Sequence, residues 1–397
     1  MIHEVKKEKK EPKKPSRFYR FLAFLVTVGL VAGAVGVVVN RDKLNFDALR
    51  RFFTYRTTTQ DGTGATDPFP YEGGIGAAFS SVGGDLFSAS TSGFRLYSPG
   101  GKLYVEDTMT LKNPAYDLNG NHLVAYDAGG TQLRVYQNHE TVFSYTAEDG
   151  VILSARMNSA GYLAVVTRAA GFKGVVTIYN GEFQKLMAFR ISSTYIMDAV
   201  VSPDGKSVCV VSAGQNGHTF ESSLMTYSMD STAADNAELT PTATLSLGNR
   251  IPLDLQWTGA GLRCLTEYGI MSADEKLVQT GSYGWPDRHL KLFSQSGDDF
   301  SAMVLGKYRA GSQAELVLLD NKSAEIGSVN LTEQVLSLSA SGRYVAVLTA
   351  DRLDIYTDDM QLYATLTGTQ SARQVVMRSD GTALLVGGET AWVYIPA

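Results

Sequence analysis

The sequence predicts an all-β chain: a β-propeller, eight blades favoured and seven the alternative, preceded by a single N-terminal transmembrane helix. Three observations predict it. Eight tight turns ending in glycine recur at Gly83-Gly84, Asn119-Gly120, Ala160-Gly161, Asp204-Gly205, Ala260-Gly261, Ser296-Gly297, Ser341-Gly342 and Asp380-Gly381. Their second residues are 36, 41, 44, 56, 36, 45 and 39 apart, and each turn divides an alternating apolar run from a denser run rich in Val, Leu and Tyr. A period near 40 with room for four short strands is the mark of a propeller. The third observation is an uncharged apolar stretch of 19 residues, Phe21 to Val39, behind a strongly basic leader.

The leader, residues 1–20, holds six Lys and two Arg against three Glu and reads as a basic cytoplasmic tail. A helix over residues 21–39 is roughly 28 Å long, close to the hydrocarbon thickness of a bilayer. Basic residues before the span put the N-terminus in the cytoplasm and the rest of the chain outside a plasma membrane, as a single-pass protein. Ala32-Gly33-Ala34 resembles a signal-peptide cleavage site, so removal of the segment is the alternative. Residues 40–67 follow as a juxtamembrane helix and linker. Within them Asn45 to Tyr55 spaces Phe46, Leu49 and Phe53 for one helical face, and Thr57 to Asp67 has no periodicity and reads as a polar tether.

Residues 68–397 are the predicted propeller. The weak strand beside Gly83-Gly84 is what leaves seven blades open. The fourth unit is long because the polar run Ser228 to Pro241 lengthens one loop. The last unit offers three strands, Gln374 to Arg378, Ala383 to Val386 and Ala391 to Ile395, so a segment near Pro70 to Gly76 is expected to supply the fourth and close the ring.

Removing the tail leaves 27 basic and 37 acidic residues, about ten net negative charges. This disfavours nucleic acid and other polyanions, which need clustered Lys and Arg. Two cysteines remain. Cys209 lies four residues beyond its turn glycine and Cys264 three beyond its own, so they project from opposite faces of neighbouring blades, faces that meet. A disulfide and two buried free thiols both fit that placement.

Ser202-Pro203-Asp204-Gly205-Lys206, with a weaker copy at Arg378-Ser379-Asp380-Gly381, resembles the turn of WD40-like and TolB-type repeats. The juxtamembrane helix, Phe69-Pro70, Asn113-Pro114 and the run Val124-Ala125-Tyr126-Asp127-Ala128-Gly129-Gly130 together resemble a family of membrane-anchored extracellular propellers of clostridia-like Gram-positive bacteria. The resemblance covers nearly the whole chain and implies location and fold. That family has no assigned activity, so no catalytic residue carries over.

Signatures of chemistry are few. The five His include no i, i+4 pair, and neither a zinc-hydrolase motif nor a nucleophile elbow occurs. No catalytic residue and no cofactor follow from the sequence. Asp198 and Asp254 start units four and five, where the innermost strand lines the channel, and are candidate channel-mouth carboxylates for a Ca²⁺-like ion or simple caps of strand ends. The loop Tyr283-Gly284-Trp285-Pro286-Asp287-Arg288-His289 is the candidate contact site: Trp285 and Tyr283 can stack on a sugar or anchor a protein, while Asp287, Arg288 and His289 give orientation. Trp285 folded back as a lid over the blade edge is the other reading. The leading function is therefore a binding or scaffolding module for a cell-envelope protein or wall glycan. A ligand sensor and a metal-dependent enzyme at the channel mouth are the alternatives.

Overall fold

The computed structural model describes residues 46–56, 58–73, 77–230 and 237–396, together with residues 21, 24–29 and 31. The basic tail and most of the predicted span lie outside the described residues. Among the described residues, no helix is long and apolar enough to cross a membrane. The chain divides into two units, Met1–Thr57 and Thr58–Ala397. In the first, helix α1 (Phe46–Thr54) carries Asp47 in its opening turn and Arg51 in its last, matching the helix macrodipole. Its Leu49 and Phe53 are exposed, as is Phe52.

The second unit is built from eight sheets, one per predicted repeat, each with four antiparallel strands. Blades 1 to 8 begin with the strands Ala78–Val82, Pro114–Asn119, Val151–Met157, Tyr195–Val201, Pro252–Thr258, His289–Ser294, Val335–Ser341 and Gln374–Met377. These first strands pack against one another from blade to blade and line the centre. Gly83-Gly84 thus belongs to a full four-stranded blade, which decides for eight blades over seven. Seven of the eight second turn residues take positive φ, which glycine reaches without strain. Gly297 is the exception; a Cβ there would stand 2.5 Å from the Phe300 ring.

The ring closes as expected, with a shift of position. The closing strand is Phe69–Pro70, paired antiparallel with Thr390–Tyr394 through Phe69↔Ala391 and Pro70↔Thr390. Residues 60–66, expected as part of a free tether, also fold against that strand. Thr66 N donates to Val393 O at 2.9 Å, Val393 N donates to Thr66 Oγ1 at 3.0 Å, and Ile395 N donates to Gly64 O at 2.9 Å. Asp61 holds this segment in a turn by accepting from Thr63 and Ala65. The long loop of blade 4 contains a short strand, Ala237–Glu238, that pairs in parallel with the outer strand of blade 3.

The apolar core lies between blades. The second strands are buried almost throughout, as in Leu163 to Val166 and Tyr344 to Leu348. Each face of such a strand meets a different neighbouring sheet, which is why these runs are continuously apolar and do not alternate.

Candidate interaction face at the channel mouth

Because the blades share one meander, all innermost strands run the same way and start on one face of the ring. Loops joining second to third strands open on that same face. In five consecutive blades the innermost strand carries a bulge near its start, between Ile152 and Ser154, Ile196 and Asp198, Pro252 and Asp254, Leu290 and Leu292, and Val335 and Ser337. The extra residue breaks the two-residue alternation and re-aims its side chain. Met197, Leu253 and Leu336 occupy bulge positions and are 39%, 44% and 40% exposed. Tyr195 and Ile251 stand one or two residues ahead, and Tyr268 and Tyr308 cap neighbouring loops, all exposed. Blades 4 to 7 therefore present an apolar and aromatic sector on this face.

Beneath it, side chains from different innermost strands converge. Arg156 of blade 3 lies 2.6 Å from Asp254, 3.0 Å from Asp198 and 3.4 Å from Asp117. Asp117 accepts a second bond from Met157 N at 2.8 Å, and Gln295 donates to Asp254 at 2.9 Å. Burial works against the charge on Arg156, but the three carboxylates outweigh it and hold its pKa well above the ordinary value. Asp198 and Asp254 each accept the backbone N–H of the next residue, Ala199 and Leu255, and both also pair with the Arg156 guanidinium. Among the described residues, no group of three or more His, Cys, Asp or Glu could hold a metal ion. Arg156 and Asp117 escaped the sequence reading.

The contact loop is built differently from the expectation of an exposed anchor. Trp285 is fully buried between blades 5 and 6, among Leu265, Ile270, Met303, Leu305, Val317 and Leu319. Its Nε1 donates to Glu267 O at 2.9 Å. Arg288 reaches Glu315 at 2.6 Å and Tyr283 Oη at 3.0 Å, and Tyr283 Oη donates to Glu325 at 2.7 Å. The indole is drawn inward because the joint offers both an apolar slot and a free carbonyl, satisfying its surface and its N–H together. Asp287 stays exposed on the channel-mouth face, and His289 is half-buried there.

Cys209 and Cys264 are buried free thiols in the core between blades 4 and 5. Both belong to the same interblade cluster, and no disulfide joins them. Burial pushes the Cys264 thiol up to about 12 and Cys209 upward as well. Both thiols are expected to resist iodoacetamide at pH 8 in the folded protein and to react fully in denaturant, read by mass spectrometry. Labelling without unfolding would contradict the packing.

The fold and this face define a class: an eight-bladed propeller with a salt-bridged channel and an apolar sector around one channel mouth. The chain belongs to the family of unknown function DUF5711, whose profile matches residues 70–390. No curated protein matches it in sequence. In structure it is similar to the C-terminal WD40 domain of Sif2 (TM-score 0.55, 13% identity, 84% of this chain and 97% of that one). It is also similar to quinohemoprotein alcohol dehydrogenase ADHIIG from Pseudomonas putida HK5 (TM-score 0.50, 10% identity, 85% and 77%). BamB from Moraxella catarrhalis aligns at TM-score 0.49 and 9% identity over 83% and 96%. At such identities the likeness concerns the fold alone.

Proposed function

We propose that this chain is a binding module, a propeller carried outside the plasma membrane on a single N-terminal span, whose channel-mouth sector on blades 4 to 7 docks a basic cell-envelope protein. The observation that carries the docking surface is the bulge repeated in neighbouring innermost strands, which sets Met197, Leu253 and Leu336 outward around one opening. Three exposed tyrosines, Tyr195, Tyr268 and Tyr308, add amphipathic area at low entropic cost. Large exposed apolar patches of this kind mark contact surfaces. Support for the anchor comes from the charge asymmetry around residues 21–39. Residues 58–397 carry 22 Lys and Arg against 35 Asp and Glu, about thirteen net negative charges, a field that steers a basic partner toward the unit. Asp287 and His289 border the sector, and Trp285 supports their loop from below.

A photo-crosslinker at Tyr268 in intact cells tests the reading, with one at Leu362, on the opposite face, as control. One basic envelope protein captured only from Tyr268, and lost on Leu253→Asp, supports it. Tyr268→Ala is then expected to weaken that complex by about 2 kcal/mol, roughly thirtyfold, with melting unchanged. Equal capture from both faces, capture of a second copy of this chain, or protection of residues 60–397 from external protease overturns it.

A further inference from the structure

A second site lies at the joint of blades 3 and 4, on the same face but built from different chemistry. A cleft of about 530 Å³ opens there between the loop Arg168 to Lys173, the chain at Gly150 and Val151, and the chain from Ser192 to Tyr195. That volume is within the range of small-ligand sites. On a unit with a strongly negative balance, this cleft gathers cations. Arg168 and Lys173 line it, and Arg190 stands behind Phe172 with its guanidinium 4.4 Å from the ring centre. None of the ion pairs among the described residues engages Arg168, Lys173 or Arg190. Arg190 Nε is buried with no hydrogen-bond partner, as is Thr194 Oγ1 on the neighbouring chain. Lys173 Nζ donates to Ser193 O at 2.8 Å and sits 5.1 Å from the centre of the Tyr195 ring, which is itself 54% exposed.

Lys173 and Arg190 held against aromatic rings at a concave place, with Arg168 beside them and with no ion pair to any of the three among the described residues, suit an anion. The aromatic faces and the backbone groups around Gly150 and Gly171 suit a ring that carries hydroxyls. The sign and size of the surrounding field select its charge. One carboxylate gains from three local cations while the wider negative field is screened within about 8 Å at physiological ionic strength; a polyanion extends beyond the cleft and is repelled by each further acidic group. We propose that the cleft binds a carboxylated sugar, its carboxylate between Arg168 and Lys173 and its ring against Tyr195. Tyr195 borders both the cleft and the docking sector, but Arg168 and Lys173 belong to the cleft alone, so their variants test this site by itself.

The probe is glucuronate, titrated into the full-length chain by calorimetry, with glucose and glucose 6-phosphate as comparisons. Saturable glucuronate binding, at least tenfold tighter than glucose, is expected. Lys173→Ala and Arg168→Ala should each weaken it about tenfold, and Tyr195→Ala should weaken it without removing a charge. Lys276→Ala, on the opposite face, and Leu253→Asp should leave it unchanged, which keeps this site's failure distinct from failure of the docking face. No saturable binding, binding indifferent to Lys173 and Arg168, or glucose 6-phosphate bound as tightly as glucuronate overturns the proposal. Melting curves of the exposed-site variants should match the parent and exclude misfolding as the cause of any loss.

Discussion

Arg156→Met is expected to lower the stability of the propeller by about 3 kcal/mol, the scale of removing one partner from a buried ion pair. The variant keeps much of the side-chain volume but leaves Asp117, Asp198 and Asp254 facing one another without a cation. The loss should depend on pH. Burial already raises the Asp117 carboxyl above its usual value, and Arg156 acts in the opposite direction. Without the guanidinium that rise grows. A carboxyl whose folded pKa is raised costs stability while ionised and is relieved once protonated. The deficit is therefore largest near pH 8 and narrows as the pH falls through the raised folded value. Denaturant titrations of both proteins at pH 8 and pH 5 measure it. A deficit below about 1 kcal/mol, or one equal at both pH values, would show that the carboxylates do not depend on Arg156.

Trp285→Ala is expected to cost about 4 kcal/mol, because it empties a slot between two blades and strips the Glu267 carbonyl of its donor. Trp285→Phe keeps the ring packing and loses the hydrogen bond, so about 1–2 kcal/mol should follow. The ratio between the two variants separates packing from polar satisfaction. A side chain that instead anchored a partner would show little stability loss on truncation, and an unchanged midpoint for Trp285→Ala would falsify the burial described above.

The repeat was legible because its punctuation is local. A glycine at positive φ and an Asp that caps its own turn are written within three or four residues, as at Asp204-Gly205 and Asp380-Gly381. Ring closure was legible from a missing strand in the last unit, although the chain uses Phe69–Pro70 at the very start of the expected stretch. The fate of Trp285 was not legible, since a Gly/Pro-bounded aromatic looks the same in sequence whether its ring turns inward or outward. The Arg156 cluster was hidden for another reason. Its members come from units 39 to 98 residues apart and meet only in a closed ring. The bulges did leave a trace: Ile196-Met197-Asp198 and Pro252-Leu253-Asp254 break the alternation at the same place, with an acidic residue after an outward apolar one.

The pairing of Phe69 with Ala391 also sets the order in which the chain can mature. During synthesis the strand Phe69–Pro70 emerges first, yet its partner is made more than three hundred residues later. Until then blade 1 has no neighbour on one side and Gly64 to Tyr71 no strand to join, so the growing chain is an open arc with unpaired edges at both ends. Such edges are the places where chains pair wrongly with one another. Closure thus waits for the strand Thr390–Tyr394, and a chain released before that strand is made is an arc that cannot seal. The same arrangement makes the finished product self-proofing, because only a chain carrying both ends becomes a ring without edges.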